Sequence, residues 1–252
     1  MRTYPFGTQK AQAAALALAS LVACSNGSPA PTDTAPACDP CTDGGDTGTD
    51  INPDGVPYPA PAGGYGRTAR TGSTPGSVIQ NFKFLGYPNG VETTNLATIS
   101  LADYYDPCNK TYKLLHLSVA GVWCVPCNEE TTAVVTDLQS PTSVLNTDRV
   151  VFVQALDDGA VEGTPATQSD LDYWVTSHGS NFTEMLDPGL ANLAGFFNSA
   201  AIPWNCDIDP RTMEIIDSSV GWSGDVASEI EPGLSGLPAK PSYPLPAGVT
   251  CN

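Results

Sequence analysis

A pair of cysteines at the end of a buried strand constrains this chain more than any other feature. Residues 113–123, KLLHLSVAGVW, form a largely apolar run of the kind found in a central strand that is buried on both faces of a sheet. The run leads directly into Cys124 and Cys127, and residues 125–138 have the pattern of a helix. The sequence therefore predicts a C-x-x-C pair in the first turn of a helix that follows a central strand.

The rest of the chain alternates between strand and helix patterns. Further strand patterns occupy 78–84, 150–156, 202–209 and 213–221, and residues 98–105 begin as a strand and then enter a helical turn; helix patterns occupy 168–178, 187–197 and 225–230. Strands that alternate with helices and close on a hairpin predict an α/β domain with a central mixed β-sheet flanked by helices.

The position of the cysteines favours redox chemistry. Unpaired backbone N–H groups and the positive end of the helix dipole stabilise a thiolate at a helix N-terminus, so Cys124 is predicted to be the exposed, attacking thiol. Cys127, one turn inside the helix, is predicted to be the resolving thiol that closes the redox-active disulfide. Pro126 fits the first turn because its missing N–H has no intrahelical partner there.

The motif resembles that of a known superfamily. Trp123-Cys124-Val125-Pro126-Cys127 is similar to the W-C-x-P-C motif of the thioredoxin superfamily, and Glu130 makes it resemble the TlpA/ResA (redoxin-type) branch of extracytoplasmic thiol–disulfide oxidoreductases. The resemblance implies a thioredoxin-like fold and protein thiols and disulfides as substrates. It also implies that Glu130 lies near the thiols and affects their proton transfers; the alternative is a first-turn acid that only favours the helix dipole.

A second mark of the superfamily is Ile202-Pro203. The resemblance implies a cis-proline opposite the C-x-x-C pair and a substrate groove formed by Trp123, Pro126, Ile202 and Pro203. The interval before Ile202 is longer than in a minimal thioredoxin, which is consistent with the strand and helix that TlpA-like proteins insert. Six residues before the first cysteine, thioredoxin has a buried Asp and this chain has Ser118, which leaves Glu130 as the candidate base.

The N-terminus indicates export. Residues 1–23 contain two basic residues and then an apolar run that is too short to span a bilayer, which is typical of a signal peptide. Leu21-Val22-Ala23-Cys24 resembles the bacterial lipobox, which implies acylation of Cys24 and anchoring to the lipid bilayer; the alternative is an ordinary signal peptide with an incidental cysteine. Ser25, by resemblance to lipoprotein sorting, favours the outer membrane, with the protein facing the periplasm or the cell surface.

Composition then divides the mature chain. Residues 24–60 are rich in Pro, Thr and Asp, which predicts a disordered tether. Residues 61–252 are predicted to form the thioredoxin-like domain with an N-terminal extension, a core at 76–231 and a Pro-rich tail.

Within the tether, Asp50 to Asp54 matches half of a calcium loop, and either weak calcium binding or a solvated acidic turn accounts for it. The net charge of −17 excludes nucleic acid as a partner.

The remaining cysteines leave several pairings open. Cys38 and Cys41 fit a small local disulfide, and two of Cys108, Cys206 and Cys251 fit a structural one, without a sequence signal that selects the pair. The histidines are His116 and His178. Because His116 lies in a buried strand, it is predicted to be a satisfied core residue, and no metal or cofactor is predicted; a copper(I) site at the two thiolates is the minor alternative.

Two functions follow from these observations. The first is an extracytoplasmic thiol–disulfide oxidoreductase, in which Cys124, Cys127 and Glu130 are catalytic. The resemblance favours a disulfide reductase supplied by a membrane electron donor, although the sequence does not fix the direction. The second is a surface binding module that keeps the fold and a static disulfide.

Overall fold

The computed structural model describes five stretches of the chain: residues 51–59, 75–90, 95–197, 200–241 and 244–251. The signal peptide (1–23), Cys24 and the pair Cys38 and Cys41 lie outside these stretches, so the predictions about them stay predictions.

The described elements alternate between strands and helices from β1 to α4. In chain order they are β1 (Lys83–Tyr87), β2 (Ala97–Ser100), β3 (Leu114–Gly121), α1 (Val125–Gln139), α2 (Val144–Thr147), β4 (Val150–Asp158), α3 (Gln168–His178), β5 (Thr183–Leu186), β6 (Trp204–Asp209), β7 (Glu214–Val220) and α4 (Val226–Gly236).

The seven strands form one sheet in the order β2-β1-β5-β4-β3-β6-β7. Strands β3, β4 and β5 run parallel to one another. Strand β6 pairs antiparallel with β3 and with β7, and β1 pairs antiparallel with β2 and β5. The predicted α/β architecture with a mixed sheet and flanking helices is confirmed.

Strand β3 is buried over its whole length because the sheet is covered on both faces. Successive side chains of a strand point to opposite faces, so Leu115 and Leu117 enter one core cluster while Leu114 packs on the other face with side chains of α1 and α4. The same alternation places His116 and Ser118 on the face that α1 and α4 cover. Two polar side chains of the central strand therefore lie beneath the helix that carries the cysteines.

The helices begin and end at residues suited to those positions. Helix α3 matches the predicted 168–178; Thr167 and Asp170 form a capping box at its start, and Gly179, with φ of 62°, ends it. Helix α4 begins after Asp225, whose side chain accepts from the backbone N–H of Ser228. Among the described residues, no helix has both the length and the apolar character required to cross a membrane.

Residues 187–197 do not form the predicted short helix. They form two separate 3-10 turns, Pro188–Leu190 and Leu193–Gly195. Gly189 has a left-handed conformation with φ of 63°, which interrupts the helix. The carboxylate of Asp187 accepts the backbone N–H groups of Asn192 and Leu193 and so holds the second turn in place.

Two strands differ from the sequence prediction. The strand predicted at 78–84 is shifted toward the C-terminus and becomes β1, whereas Val78 forms only an isolated bridge with Glu214. Strand β5 was not predicted because it has four residues and includes Glu184, a fully buried acid. With α3, it supplies a helix and a strand in the long interval between β4 and β6.

The end of the segment assigned by composition to the tether packs on the domain. Val56 and Tyr58 join the core, and the Tyr58 hydroxyl donates to the carbonyl oxygen of Ile79 over 2.9 Å. Asn52 donates to the carbonyl oxygen of Tyr105 and accepts the backbone N–H of Val56. The packed part of the chain therefore includes residues 51–59. The Asn52 side chain forms part of a turn there through its hydrogen bond with Val56.

The structural disulfide joins Cys108 to Cys251 and leaves Cys206 as a buried free thiol. The sequence allowed three pairings among these residues. The bond ties the Pro-rich tail to the segment that precedes β3, while Cys206 points into the core beside Trp204 and Ile208.

Candidate active site

The two motif cysteines form a disulfide at the start of α1. Cys124 is the N-cap residue, and its Sγ accepts the backbone N–H of Cys127 over 3.2 Å. Pro126 lies in the first turn, where no intrahelical hydrogen bond is lost. The predicted placement of the pair, between a central strand and a helix, is present.

A side chain from the first turn of α1 fixes the loop before it. Asn128 donates to the carbonyl oxygen of Cys124 over 2.7 Å and to that of Val122 over 3.2 Å. Its own Oδ1 lies 3.1 Å from Nε2 of His178 on α3. These contacts hold the backbone around Cys124 from two sides, a role that the sequence analysis did not assign to Asn128.

Trp123 lies at the surface beside the disulfide and is anchored at one end. Its indole Nε1 donates to the carboxylate of Asp158 over 3.0 Å, and the same oxygen accepts the backbone N–H of Gly163. A Cβ atom at Gly121 would lie 3.1 Å from both this Nε1 and the Ile202 side chain. Glycine at position 121 therefore permits the close approach of Trp123 and Ile202.

The peptide bond between Ile202 and Pro203 is cis and faces the disulfide. The carbonyl oxygen of Ile202 lies 3.6 Å from Sγ of Cys124. A C-x-x-C disulfide at the helix that follows the central strand, opposite a cis-proline at the start of the antiparallel strand beside it, decides the fold. The domain has a thioredoxin-like fold.

Several solved structures resemble this thioredoxin-like domain at low sequence identity. They include a putative thiol:disulfide interchange protein DsbE from Chlorobium tepidum, 16% identical with a TM-score of 0.46 over 66% of this chain and 99% of that chain. StoA from Bacillus subtilis is 18% identical with a TM-score of 0.41, over 62% of this chain and 97% of that chain. A DsbF homologue from Corynebacterium diphtheriae is 16% identical with a TM-score of 0.44, over 64% and 87%. No protein-family model and no curated protein matches the sequence.

Cys124 is less accessible than the sequence indicated. It was predicted to be the exposed thiol, but it is 1% exposed in this disulfide-bonded form, and Cys127 is fully buried. Its sulfur is bonded to Cys127 and lies against Ile202, which together leave it no open face. The exposed residues of the motif are instead Trp123, Val125 and Pro126, and the first two are 36% and 67% exposed.

Glu130 is buried and fully hydrogen-bonded. Ser118 donates to its Oε2 over 2.8 Å, and Asn205 donates to its Oε1 over 2.7 Å. Burial raises the pKa of Glu130 to about 7, although His116, Ser118 and Asn205 each act to lower it. A carboxyl group with this pKa changes its protonation near neutral pH, which suits a group that takes up and releases protons.

The carboxylate of Glu130 belongs to a larger polar cluster that the sequence analysis missed. Asn205 also contacts Glu229 of α4, and His116 contacts both Asn205 and Asp207. The pairing of β3 with β6 places His116 opposite Asp207 and Ser118 opposite Asn205. Asn205 has no local motif in the sequence that would indicate its pairing partner on β3.

Acidic groups gather at the carboxyl ends of β4 and β5, and one of them, Asp158, contacts the motif through Trp123. Asp157 and Asp158 end β4, and Asp187 follows β5. Burial, together with the charges of Asp158 and Asp187, raises the pKa of Asp157 to about 6. In the described stretches, no three His, Cys, Asp or Glu side chains are grouped so that they could hold a metal ion. Both nitrogens of His116 already contact protein oxygens, so this residue is not available as a ligand.

Proposed function

We propose that this protein is an extracytoplasmic thiol–disulfide oxidoreductase that acts on protein thiols and disulfides and works as a disulfide reductase. The observation that carries the proposal is the Cys124–Cys127 disulfide in the first turn of α1, with Sγ of Cys124 3.6 Å from the carbonyl oxygen of Ile202. The helix N-terminus stabilises the Cys124 thiolate after reduction, and thiolate is the reactive species in disulfide exchange.

The reaction consists of two exchange steps. In the reduced protein, the Cys124 thiolate attacks one sulfur of a substrate disulfide, forms a mixed disulfide and releases the first substrate thiolate. Cys127 then loses its proton and attacks Sγ of Cys124, which releases the second substrate thiolate. The substrate gains two electrons, and the protein is left in the disulfide form described here. A membrane electron donor that reduces this disulfide completes the proposed cycle.

Glu130 is assigned to the proton transfers. It lies three residues after Cys127, and residues with this spacing share one face of a helix. A buried carboxylate on that face can accept the Cys127 proton as the second step begins and return it when the disulfide is reduced. The pKa of Glu130, raised to about 7 by burial, matches that role near neutral pH.

The substrate groove is assigned to the surface around the disulfide. Trp123 and Pro126 are exposed on the α1 side, and Ile202 and Pro203 face Cys124 from the other side. The carbonyl group of Ile202 is positioned to accept a hydrogen bond from an extended substrate segment. Such main-chain pairing recognises a strand without selecting its side chains, which suits a protein that acts on several partners.

The location of the protein is part of the proposal. Residues 1–23 are assigned as a lipoprotein signal and Cys24 as the acylated residue, with the outer membrane favoured. Because each buried CH₂ of an acyl chain adds about 0.8 kcal/mol of membrane affinity, two or more chains on Cys24 would anchor the domain without a transmembrane helix.

One observation favours the second candidate, a binding module with a static disulfide. Cys124 is only 1% exposed, so a substrate sulfur cannot reach it in the form described here without local movement. The two candidates differ in one property, since an oxidoreductase exchanges this disulfide with a partner and a binding module does not.

The test is a trapping experiment with Cys127→Ser. This variant is expected to form a mixed disulfide through Cys124 with insulin and to keep it, because the resolving thiol is absent. Cys124→Ser is the matched control and is expected to trap nothing. Intact-protein mass spectrometry and peptide mapping identify the bond. A folded Cys127→Ser protein that captures no more insulin than Cys124→Ser does would overturn the proposal and favour the binding module.

The reduction potential of the wild-type pair then fixes the direction. Equilibration in dithiothreitol buffers is expected to give a value near that of thioredoxin, about −270 mV, which corresponds to a reductase. A value of about −120 mV would instead identify a thiol oxidant and would contradict the proposed direction while leaving the class of reaction unchanged.

A further inference from the structure

A buried polar cluster connects Glu130 to residues that have no part in the exchange steps described above. It lies between β3 and β6 on one side and α1 and α4 on the other, and every member is buried. Its members are His116, Ser118, Glu130, Asn205, Asp207 and Glu229. Buried polar groups on this scale are expensive unless their hydrogen bonds are satisfied, and here each has a partner.

The contacts of Asn205 determine how its amide is oriented. One atom lies 2.7 Å from Oε1 of Glu130 and 3.1 Å from Oε1 of Glu229, and the other lies 3.2 Å from Nε2 of His116. The NH₂ group must face the two carboxyl groups, because the reverse orientation would place an amide oxygen against two acceptors. The amide oxygen then faces His116, so Nε2 of His116 carries a hydrogen.

The other ring nitrogen of His116 must share a second proton with Asp207. Nδ1 lies 2.8 Å from Oδ1 of Asp207, which is a hydrogen-bond distance only if one of the two atoms holds a proton. Burial by itself would lower the pKa of His116, but the Asp207 carboxylate, with Glu130 and Glu229, raises it above its usual value. Burial also raises the pKa of Asp207, while the charge and the hydrogen bond of His116 act to lower it, so the contact favours an imidazolium beside a carboxylate.

The charges around this cation are otherwise negative. Glu130 approaches from α1, Asp207 from β6 and Glu229 from α4, while Glu184 of β5 and Asp217 of β7 act on the cluster from farther out. Ser118 and Gln154 contribute neutral hydrogen-bonding groups from β3 and β4. Within this set, His116 is the group that can carry positive charge, and Asn205 joins it to Glu130 by two hydrogen bonds.

We propose that His116, held between Asp207 and Asn205, is a positioning residue that favours the ionised, proton-accepting form of Glu130 during thiol–disulfide exchange. This inference rests on the proposed function. His116 touches neither sulfur nor substrate. It acts through the Asn205 amide, whose NH₂ group binds the carboxylate form of Glu130, and through its own charge, which favours that form over the neutral acid.

The first test measures the protonation of the Glu130 carboxyl group and does not depend on catalysis. The δ-carbon of glutamate is labelled with ¹³C in the full chain, with Cys124 and Cys127 oxidised, and the Glu130 signal is assigned by its loss in Glu130→Gln. His116→Gln keeps a donor for Asn205 but removes the charge. The Glu130 titration midpoint is expected to rise by about one pH unit or more, the size of effect produced by loss of an opposite charge nearby.

His178→Gln is the matched control because it removes the other histidine, which contacts Asn128 and Thr132 and lies outside the cluster. It is expected to leave the Glu130 midpoint at the wild-type value. Asp207→Asn tests the same effect of the His116 charge on Glu130. Without the carboxylate, the imidazole becomes neutral, and the Glu130 midpoint should again rise. An unchanged midpoint in both folded His116→Gln and folded Asp207→Asn would overturn the inference.

The second test joins the titration to the reaction. The pH profile of the rate of insulin reduction is expected to shift upward in His116→Gln by the same amount as the Glu130 midpoint. If the Glu130 midpoint shifted but the rate profile did not, His116 would affect the titration of Glu130 without affecting exchange. That result would overturn the positioning role. Absence of exchange in the wild-type protein, with a shifted midpoint in the variant, would instead show that the proposed function had failed and that the electrostatic coupling was correct.

Discussion

The indole Nε1 of Trp123 donates a 3.0 Å hydrogen bond to Oδ2 of Asp158. This contact ties the residue before the first cysteine of the C-x-x-C motif to the last residue of β4. The same carboxylate oxygen accepts the backbone N–H of Gly163 over 2.8 Å, so one side chain fixes both the tryptophan and the loop that follows β4. The orientation of the exposed indole therefore depends on a residue 35 positions away in sequence.

Asp158→Ala is expected to lower both stability and the rate with protein substrates. Loss of an acceptor for two donors reduces the free energy of unfolding by about 1–3 kcal/mol, measured by urea denaturation. Exchange with insulin should slow several-fold because Trp123 lines the proposed groove, while reduction of the disulfide by dithiothreitol should change little. Asp158→Asn keeps an oxygen acceptor and should remain closer to wild type. Equal slowing with both reagents would contradict a role for Trp123 in the groove.

Replacing Glu130 by Gln is expected to change how stability depends on pH. Burial raises the pKa of Glu130 from 4.5 to about 7. Between these values, the folded protein holds a proton that the unfolded chain has lost, so the free energy of unfolding falls as pH rises. For this group alone, the loss amounts to at most about 3 kcal/mol.

The measurement is urea denaturation of wild type and Glu130→Gln at about pH 5 and about pH 8. Gln resembles the protonated acid: its oxygen can accept from the Asn205 NH₂ group, and its own NH₂ group can donate to the Ser118 hydroxyl oxygen. The two proteins should therefore be similar at the lower pH. At the higher pH, the variant should be the more stable protein. A difference between the two proteins that stays the same at both pH values would show that Glu130 does not titrate in this range.

Much of the fold was predictable because it depends on patterns within short segments. The apolar run that became β3, the helix after Cys124 and the capping box at Thr167 all act over a few residues. Strand β5 was not predictable in this way, since it is short and is held in place by its neighbours β4 and β1. The helix predicted at 187–197 was wrong because Gly189 and the Asp187 side chain impose separate turns.

The candidate active site shows the same difference between local motifs, which were predictable, and contacts between distant segments, which were not. The cysteines and Ile202-Pro203 were predictable because each has a local motif. The environment of Glu130 was not, because Asn205 lies 75 residues away in sequence and reaches Glu130 only when β6 pairs with β3. Likewise, the choice of Cys251 as the partner of Cys108 depends on where a tail 143 residues later returns to the domain.

Helix α4 approaches β6 so closely at Gly233 that it leaves no room for a side chain. A Cβ atom there would lie 2.3 Å from Cγ of Asp207. Alanine in place of glycine in a helix ordinarily stabilises it by about 1 kcal/mol. Here the sign should reverse, because the helix or the Asp207 carboxylate must move. Gly233→Ala is expected to lower the melting temperature and to weaken the contact between Asp207 and His116.

Gly236→Ala on the same helix is the comparison for that prediction. Its Cβ atom would lie 2.6 Å from Cγ2 of Ile216, a methyl group of a half-buried side chain rather than a buried carboxylate. We expect a smaller loss in melting temperature and an unchanged His116 ring signal in the NMR spectrum. If both variants lost the same stability and both altered that signal, the effect would lie in α4 as a whole and not at Asp207.

The disulfide between Cys108 and Cys251 is expected to contribute stability without contributing to exchange. It closes a loop of 143 residues, and loss of a native disulfide typically costs about 2–5 kcal/mol. Cys108 precedes β3 and Cys124 follows it, and the strand between them has eight residues and is roughly 25 Å long at about 3.3 Å per residue. The double variant Cys108→Ser, Cys251→Ser should therefore unfold at lower urea concentration but keep the wild-type rate of insulin reduction below its unfolding transition. Cys206→Ser is the control, because it replaces a buried cysteine that forms no disulfide. The stability of each variant is compared before and after treatment with dithiothreitol. The difference should persist in Cys206→Ser and shrink in the double variant. A double variant as stable as wild type would contradict the predicted contribution to stability. A double variant that loses its exchange rate while still folded would show that the tail also affects the candidate active site.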